Sequence, residues 1–148
     1  MPEEWMLAAL VLARQAAQHD EVPVGAVVVR DNQIVGRGFN QPIGLQDPTA
    51  HAEVMALRDA AKNLGNYRLP ECTLVVTVEP CTMCAGALVH ARIKQLIFGA
   101  KEPRAGAICS SARVLDNSGL NHQVTVVGGV LERECKALIS GFFHERRS

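Results

Sequence analysis

Two short segments of the chain carry residue types that bind soft metals. One reads His51-Ala52-Glu53, and thirty positions after the histidine comes Pro80-Cys81-Thr82-Met83-Cys84. Cys81 and Cys84 are three apart at an expected helix start, which puts both sulfurs on one face within reach of one ion. Thiolates and a neutral imidazole suit Zn²⁺, and the unpaired N–H groups at a helix N-terminus favour thiolate over thiol. The set holds three ligands. A structural zinc site closes with four, whereas a catalytic one keeps a position open for water. Glu53 stands two residues beyond His51, so its carboxylate can face the same site, take a proton from that water and pass it on. The reading is one zinc per chain on His51, Cys81 and Cys84, with Glu53 as the catalytic group. The alternative is a closed site with Cys72 as fourth ligand, which leaves Glu53 without a role. Cys72, Cys109 and Cys135 otherwise read as core or incidental residues, because free cysteine is commonly buried.

The elements that must position these residues follow from the patterning. Pro2 to about His19 reads as a helix, with Met6, Leu10, Ala13 and Ala17 at helical spacing. Gly25–Arg30 and Gln33–Phe39 read as two strands joined through Asp31-Asn32 as a hairpin. A loop from Asn40 to Pro48 precedes a helix from about Thr49 to Leu64, with Asp47 or Thr49 as its cap and Gly65-Asn66 as its stop. Thr73–Val78 is a nearly all-apolar strand, as expected where both sheet faces are covered. A helix from Cys81 to about His90, a strand at Gln95–Gly99 and a short helix near Ser110–Leu115 follow. A strand at Val124–Val127 and a closing helix at Leu131–Arg147 complete the chain. The order α-ββ-α-β-α-β-(α)-β-α predicts a three-layer α/β/α domain with a mixed five-stranded sheet.

The bulk numbers limit the partners. The 148 residues are the size of one domain and show no linker or repeat, so residues 1–148 are expected to form a single domain. A hydrophobic fraction of 48% supports a core. Lys plus Arg and Asp plus Glu each number 15, so any nucleic acid must be met by a local basic patch. Five cysteines cannot all pair internally, the acidic Met-Pro-Glu-Glu start is unlike a signal peptide, and Met6–Ala13 is too short to span a bilayer. A cytoplasmic chain with no membrane partner is expected.

His-x-Glu followed by Pro-Cys-x-x-Cys resembles the zinc nucleobase deaminases. The blocks EVPVGAVVV (Glu21–Val29), GFNQPIG (Gly38–Gly44), DPTAHAEVMALR (Asp47–Arg58), NYRL (Asn66–Leu69), EPCTMCAGA (Glu79–Ala87) and FGAKEPRAGA (Phe98–Ala107), with Asn121-His122 and Phe142-Phe143, are similar to bacterial tRNA-specific adenosine deaminases along nearly the whole chain. The resemblance implies a cytidine-deaminase-like fold and conversion of adenosine to inosine at the wobble position of a tRNA anticodon by a homodimer. It implies that Asn40 hydrogen-bonds the flipped base and that Val24, Pro42 and Ala52 line its pocket. Asn121, Phe142 and Phe143 would contact the anticodon stem-loop. At least one of the two phenylalanines is expected in the core, because adjacent helical residues point apart. Lys101, Arg104, Arg146 and Arg147 are candidate phosphate contacts. Two other readings stay open at this level: a deaminase of a free base or nucleoside, and a non-catalytic zinc-stabilised RNA-binding module.

Overall fold

A computed structural model of the chain describes residues 2–116, 119–120 and 122–147, with Arg147 described by its backbone alone. Helix α1 spans Pro2–Gln18, strand β1 Gly25–Arg30 and strand β2 Gln33–Phe39. Asp31 and Asn32 both adopt left-handed φ, 53° and 62°, so the two-residue turn twists with its strands, as a tight hairpin requires. A one-turn helix α2 follows at Pro42–Leu45, then α3 at Ala52–Leu64, β3 at Thr73–Val78, α4 at Thr82–His90 and β4 at Gln95–Ala100. A single 3₁₀ turn at Val114–Asp116, strand β5 at Thr125–Val127 and helix α5 at Glu132–Arg147 close the chain.

The five strands form one sheet in the order β2-β1-β3-β4-β5. β1 pairs antiparallel with β2 and with β3, whereas β3–β4 and β4–β5 are parallel, so the sheet is mixed as expected. Alternation along the strands divides the core in two. Val27, Val29, Val75 and Ile97 face Met6, Ala9 and Leu10 of α1 and Cys135 of α5. Ala26, Val28, Leu74, Val76, Leu96 and Phe98 face Ala52, Ala56 and Ala60 of α3 and Ala85 and Leu88 of α4. The result is three layers, α/β/α.

α3 lies unusually close to the sheet. A Cβ at Gly36 would fall 2.6 Å from the Ala56 carbonyl oxygen, and one at Gly38 would fall 2.4 Å from the Ala56 nitrogen. Only glycine lets helix backbone rest on strand backbone there, and the small Ala52, Ala56 and Ala60 complete the contact.

Three expectations are corrected. α3 starts at Ala52 and not near Thr49, because the Asp47 carboxylate is engaged by the N–H (2.9 Å) and hydroxyl (2.7 Å) of Thr49 in a local turn. The segment from Asn40 to Pro48 contains α2, whose first N–H groups, those of Ile43 and Gly44, donate to the buried Glu21 carboxylate. The short helix expected near Ser110–Leu115 is the 3₁₀ turn at Val114–Asp116. No helix among the described residues is long and apolar enough to cross a membrane.

Candidate metal centre and base recess

Two helix starts meet at the carboxyl end of β3. His51 is the N-cap residue of α3 and Cys81 the N-cap residue of α4, both extended, and neither side chain caps its own helix. Each turns toward the other. His51 Nδ1 lies 3.6 Å from Cys81 Sγ and 3.5 Å from Cys84 Sγ, and the three donor atoms fall within 4.8 Å of one another. A tetrahedral zinc with Zn–S of about 2.3 Å and Zn–N of about 2.05 Å has S···N edges of about 3.6 Å. The donor spacing fits that ion. No fourth histidine, cysteine or carboxylate joins the cluster among the described residues. Cys72 sits before the other end of β3, a strand length of roughly 20 Å away, and is fully buried. The closed four-ligand alternative is therefore excluded.

The cluster shares its protons unevenly. Hydrogen bonds from Cys84 and His51 to its sulfur hold Cys81 at about 3, and that anion in turn, with burial, pushes Cys84 upward. The contact with Cys81 also raises His51. Two sulfurs this close cannot both be anionic without a positive ion between them.

Glu53 occupies the first turn of α3 and is 4% exposed. Burial pushes its carboxyl up to about 7, against the opposing pull of its own N–H. The N–H of Ala52 beside it donates to Asn40 Oδ1 at 2.8 Å, so Asn40 supplies the helix cap that His51 does not. A recess of about 160 Å³ opens over these groups, lined by Val24, Asn40, His51, Glu53, Cys81 and Glu102 among others. That is the liquid volume of roughly five waters, which suits one planar heterocycle. A groove of about 460 Å³ adjoins it, lined by Pro42, Ile43, Phe142 and Phe143 and sharing Val22, Asn40 and Phe143 with the recess.

The residues expected to bind substrate are thus divided. Val24 and Asn40 line the recess, Phe143 lines both spaces, and Pro42 and Phe142 line the groove. Ala52 is fully buried and contributes its N–H to Asn40 instead of a wall. Asn121 lies outside the described residues. Neither Phe142 nor Phe143 is core: α5 packs on the sheet through Cys135 and Leu138, with Leu131 just before it, and its last turns overhang the groove. Their rings meet edge to face at 5.5 Å. Arg146 is paired with Asp20 at 2.7 Å.

Sequence reasoning missed a second buried carboxylate. Glu79, 3% exposed, precedes the metal-ligand turn and accepts N–H bonds from Glu102 (3.1 Å), Ile108 (3.0 Å), Cys109 (2.8 Å) and Ser110 (3.0 Å), together with the Ser110 hydroxyl. Burial works to raise its carboxyl, but the Cys109 N–H, the Ser110 hydroxyl and the other donors hold it at about 2. The Ala107 N–H also donates to the Pro80 carbonyl. The loop that carries Glu102 to the recess is thereby locked to the turn that carries Cys81. The Glu-Pro-Cys sequence was the available signal, but its donors lie 23 to 31 residues further on.

A family model for MafB19-like deaminases matches residues 2–147. The chain is 52% identical over 146 residues to a tRNA-specific adenosine deaminase of Haemophilus influenzae, covering 98% of this chain and 84% of that one. It superposes with a TM-score of 0.89 and 44% identity on a structure from work on A-to-I editing by tRNA:A34 deaminases at the wobble position, covering 91% and 98% of the two chains. A guanine deaminase from Nitrosomonas europaea matches with a TM-score of 0.82 at 26% identity, over 96% of this chain and 84% of that one.

Proposed function

The chain belongs to the MafB19-like deaminases and, among them, to the tRNA-specific adenosine deaminases, and from that premise we propose that it hydrolyses adenosine to inosine at the wobble position of a tRNA anticodon. The observation that carries this reading is a three-donor cradle at a recess that also holds the buried Glu53 carboxyl. His51, Cys81 and Cys84 hold one zinc ion, which when bound supplies a water acidic enough to attack near neutral pH.

The chain's own groups do the rest. Glu53 accepts the proton of the attacking water and returns protons to the ring nitrogen and to the departing amine. A C6–O bond forms, the C6–N bond breaks, and ammonia leaves, so adenosine and water give inosine and ammonia. The Asn40 amide oxygen is engaged by Ala52, which turns its NH₂ toward an acceptor on the base. Val24 supplies an apolar wall, and the base enters unstacked, which a loop permits more easily than a duplex. Pro42, Phe142 and Phe143 in the adjoining groove hold the flanking nucleotides of the anticodon stem-loop, with Asn121 as a further contact.

The whole chain acts as one catalytic domain in the cytoplasm, and it acts as a homodimer. The outer face where α3 meets α4, with Val54, Leu57, Ala61 and Ala87 beside Tyr67 at 72% exposure, suits a second copy. The likeness to a guanine deaminase favours one rival, action on a free base. Assaying ammonia release from an anticodon stem-loop, free adenosine and free guanine separates the two. The stem-loop is expected to be turned over far better than either small molecule, and equal or better turnover of guanine or adenosine overturns the tRNA reading.

A further inference from the structure

At the end of the groove away from the recess, two contacts hold one side chain. The Arg146 guanidinium lies 4.6 Å from the Phe142 ring centroid, and its Nη2 donates to Asp20 Oδ1 at 2.7 Å. Arg146 is the one cation lining this groove among the described residues; Asp20 and Glu21 are its acids, and Glu21 is committed to the N–H groups of Ile43 and Gly44. An ion pair as exposed as this one, 48% and 82%, adds little stability. Its effect is on charge. The ring keeps the guanidinium in place, and the carboxylate beside it turns a cation into a dipole, so an approaching phosphate gains little.

Phosphate contacts position an RNA without reading it, and they are open to any strand. An apolar slot with an aromatic pair instead takes a base that has left its stack. We propose that Asp20 limits the affinity open to any strand: by neutralising Arg146 it withholds a phosphate contact from the groove, so binding there rests on the base the slot receives. This rests on the tRNA reading above.

Asp20→Asn isolates the charge. Asp20 is at φ 61°, a left-handed conformation that asparagine adopts readily, and the site is exposed. The zinc-loaded chain is titrated with a product stem-loop carrying inosine at the target position and with a uridine-only single strand, between 50 and 200 mM salt. The variant is expected to bind both more tightly, with the gain about three times larger at 50 than at 200 mM, as one added single-strand phosphate contact gives. Both ligands gain by about the same factor, so the preference for the stem-loop is unchanged, and Arg146→Ala added to Asp20→Asn cancels the gain and its salt dependence. Weaker binding by Asp20→Asn, an unchanged salt slope, or a gain that survives Arg146→Ala overturns the inference. A wild-type chain with no preference for the stem-loop overturns the tRNA reading itself and the inference with it.

Discussion

Glu53 and Glu79 stand at 4% and 3% exposure on either side of the same metal-ligand cluster, yet one keeps its proton up to about 7 and the other gives it up at about 2. Both are nearly closed to water, but Glu53 is the more deeply enclosed and bears the larger desolvation cost. The supply of N–H groups differs as well. Glu79 receives four from a loop that wraps around it and a hydroxyl besides. Glu53 sits at a helix start whose neighbouring donor, the Ala52 N–H, is already taken by Asn40. A buried carboxylate with many donors becomes a fixed anion that organises backbone, and a deeper one with few of them becomes a group that exchanges protons.

The sharpest test of that contrast is the same amide substitution at both positions. Glu53→Gln is expected to lose about 10²- to 10⁴-fold in kcat with zinc content and melting temperature retained; near-normal turnover would remove Glu53 from the proton path. Glu79→Gln is expected to do the reverse in stability. Its new NH₂ faces N–H donors, which costs about 2–4 kcal/mol and lowers the melting temperature. An unchanged melting temperature would show that the loop does not depend on the anion.

Acid should separate the two in the metal-free chain. Glu79 has its folded value depressed from 4.5 to about 2. Its stabilisation is therefore present above 4.5 and lost as pH falls toward 2. Glu53 has its value raised from 4.5 to about 7. Its contribution is full below 4.5 and lost as pH rises through 7. Urea midpoints measured across this range for wild type, Glu79→Gln and Glu53→Gln should show each window vanish with its own residue. The smallest effect belongs to Asn40→Asp, which keeps the capping oxygen and removes the amide donor. Its unfolding free energy should stay within about 1 kcal/mol of wild type while kcat/KM falls about tenfold. A parallel fall in both would make Asn40 a cap and nothing more.

The metal donors were legible because their spacing within each segment is local: Cys81-x-x-Cys84 and His51-x-Glu53 each need only one helix start. The hairpin was legible for the same reason, through Asp31-Asn32. The parts that were not legible depend on contacts across the chain. α3 begins late because its cap comes from Asn40, twelve residues away, and α2 exists because Glu21 meets its first N–H groups. Glu79 was invisible as an organiser, since a carboxylate bonded to backbone leaves no charged partner to notice. The phenylalanine pair was misplaced because helical periodicity cannot tell where a helix outruns the sheet beneath it.

The pairing of β1 with β3 also helps bring the site's donors together. In an open chain only Cys81 and Cys84 are near enough to share an ion. His51 reaches them once α3 has settled on the glycines of β2 and β1 has found β3, so the entropy of closing that loop is met by strand pairing and helix packing. An ion held there would meet donors that the fold has already brought together, in contrast to small zinc modules for which taking up metal and folding are one event.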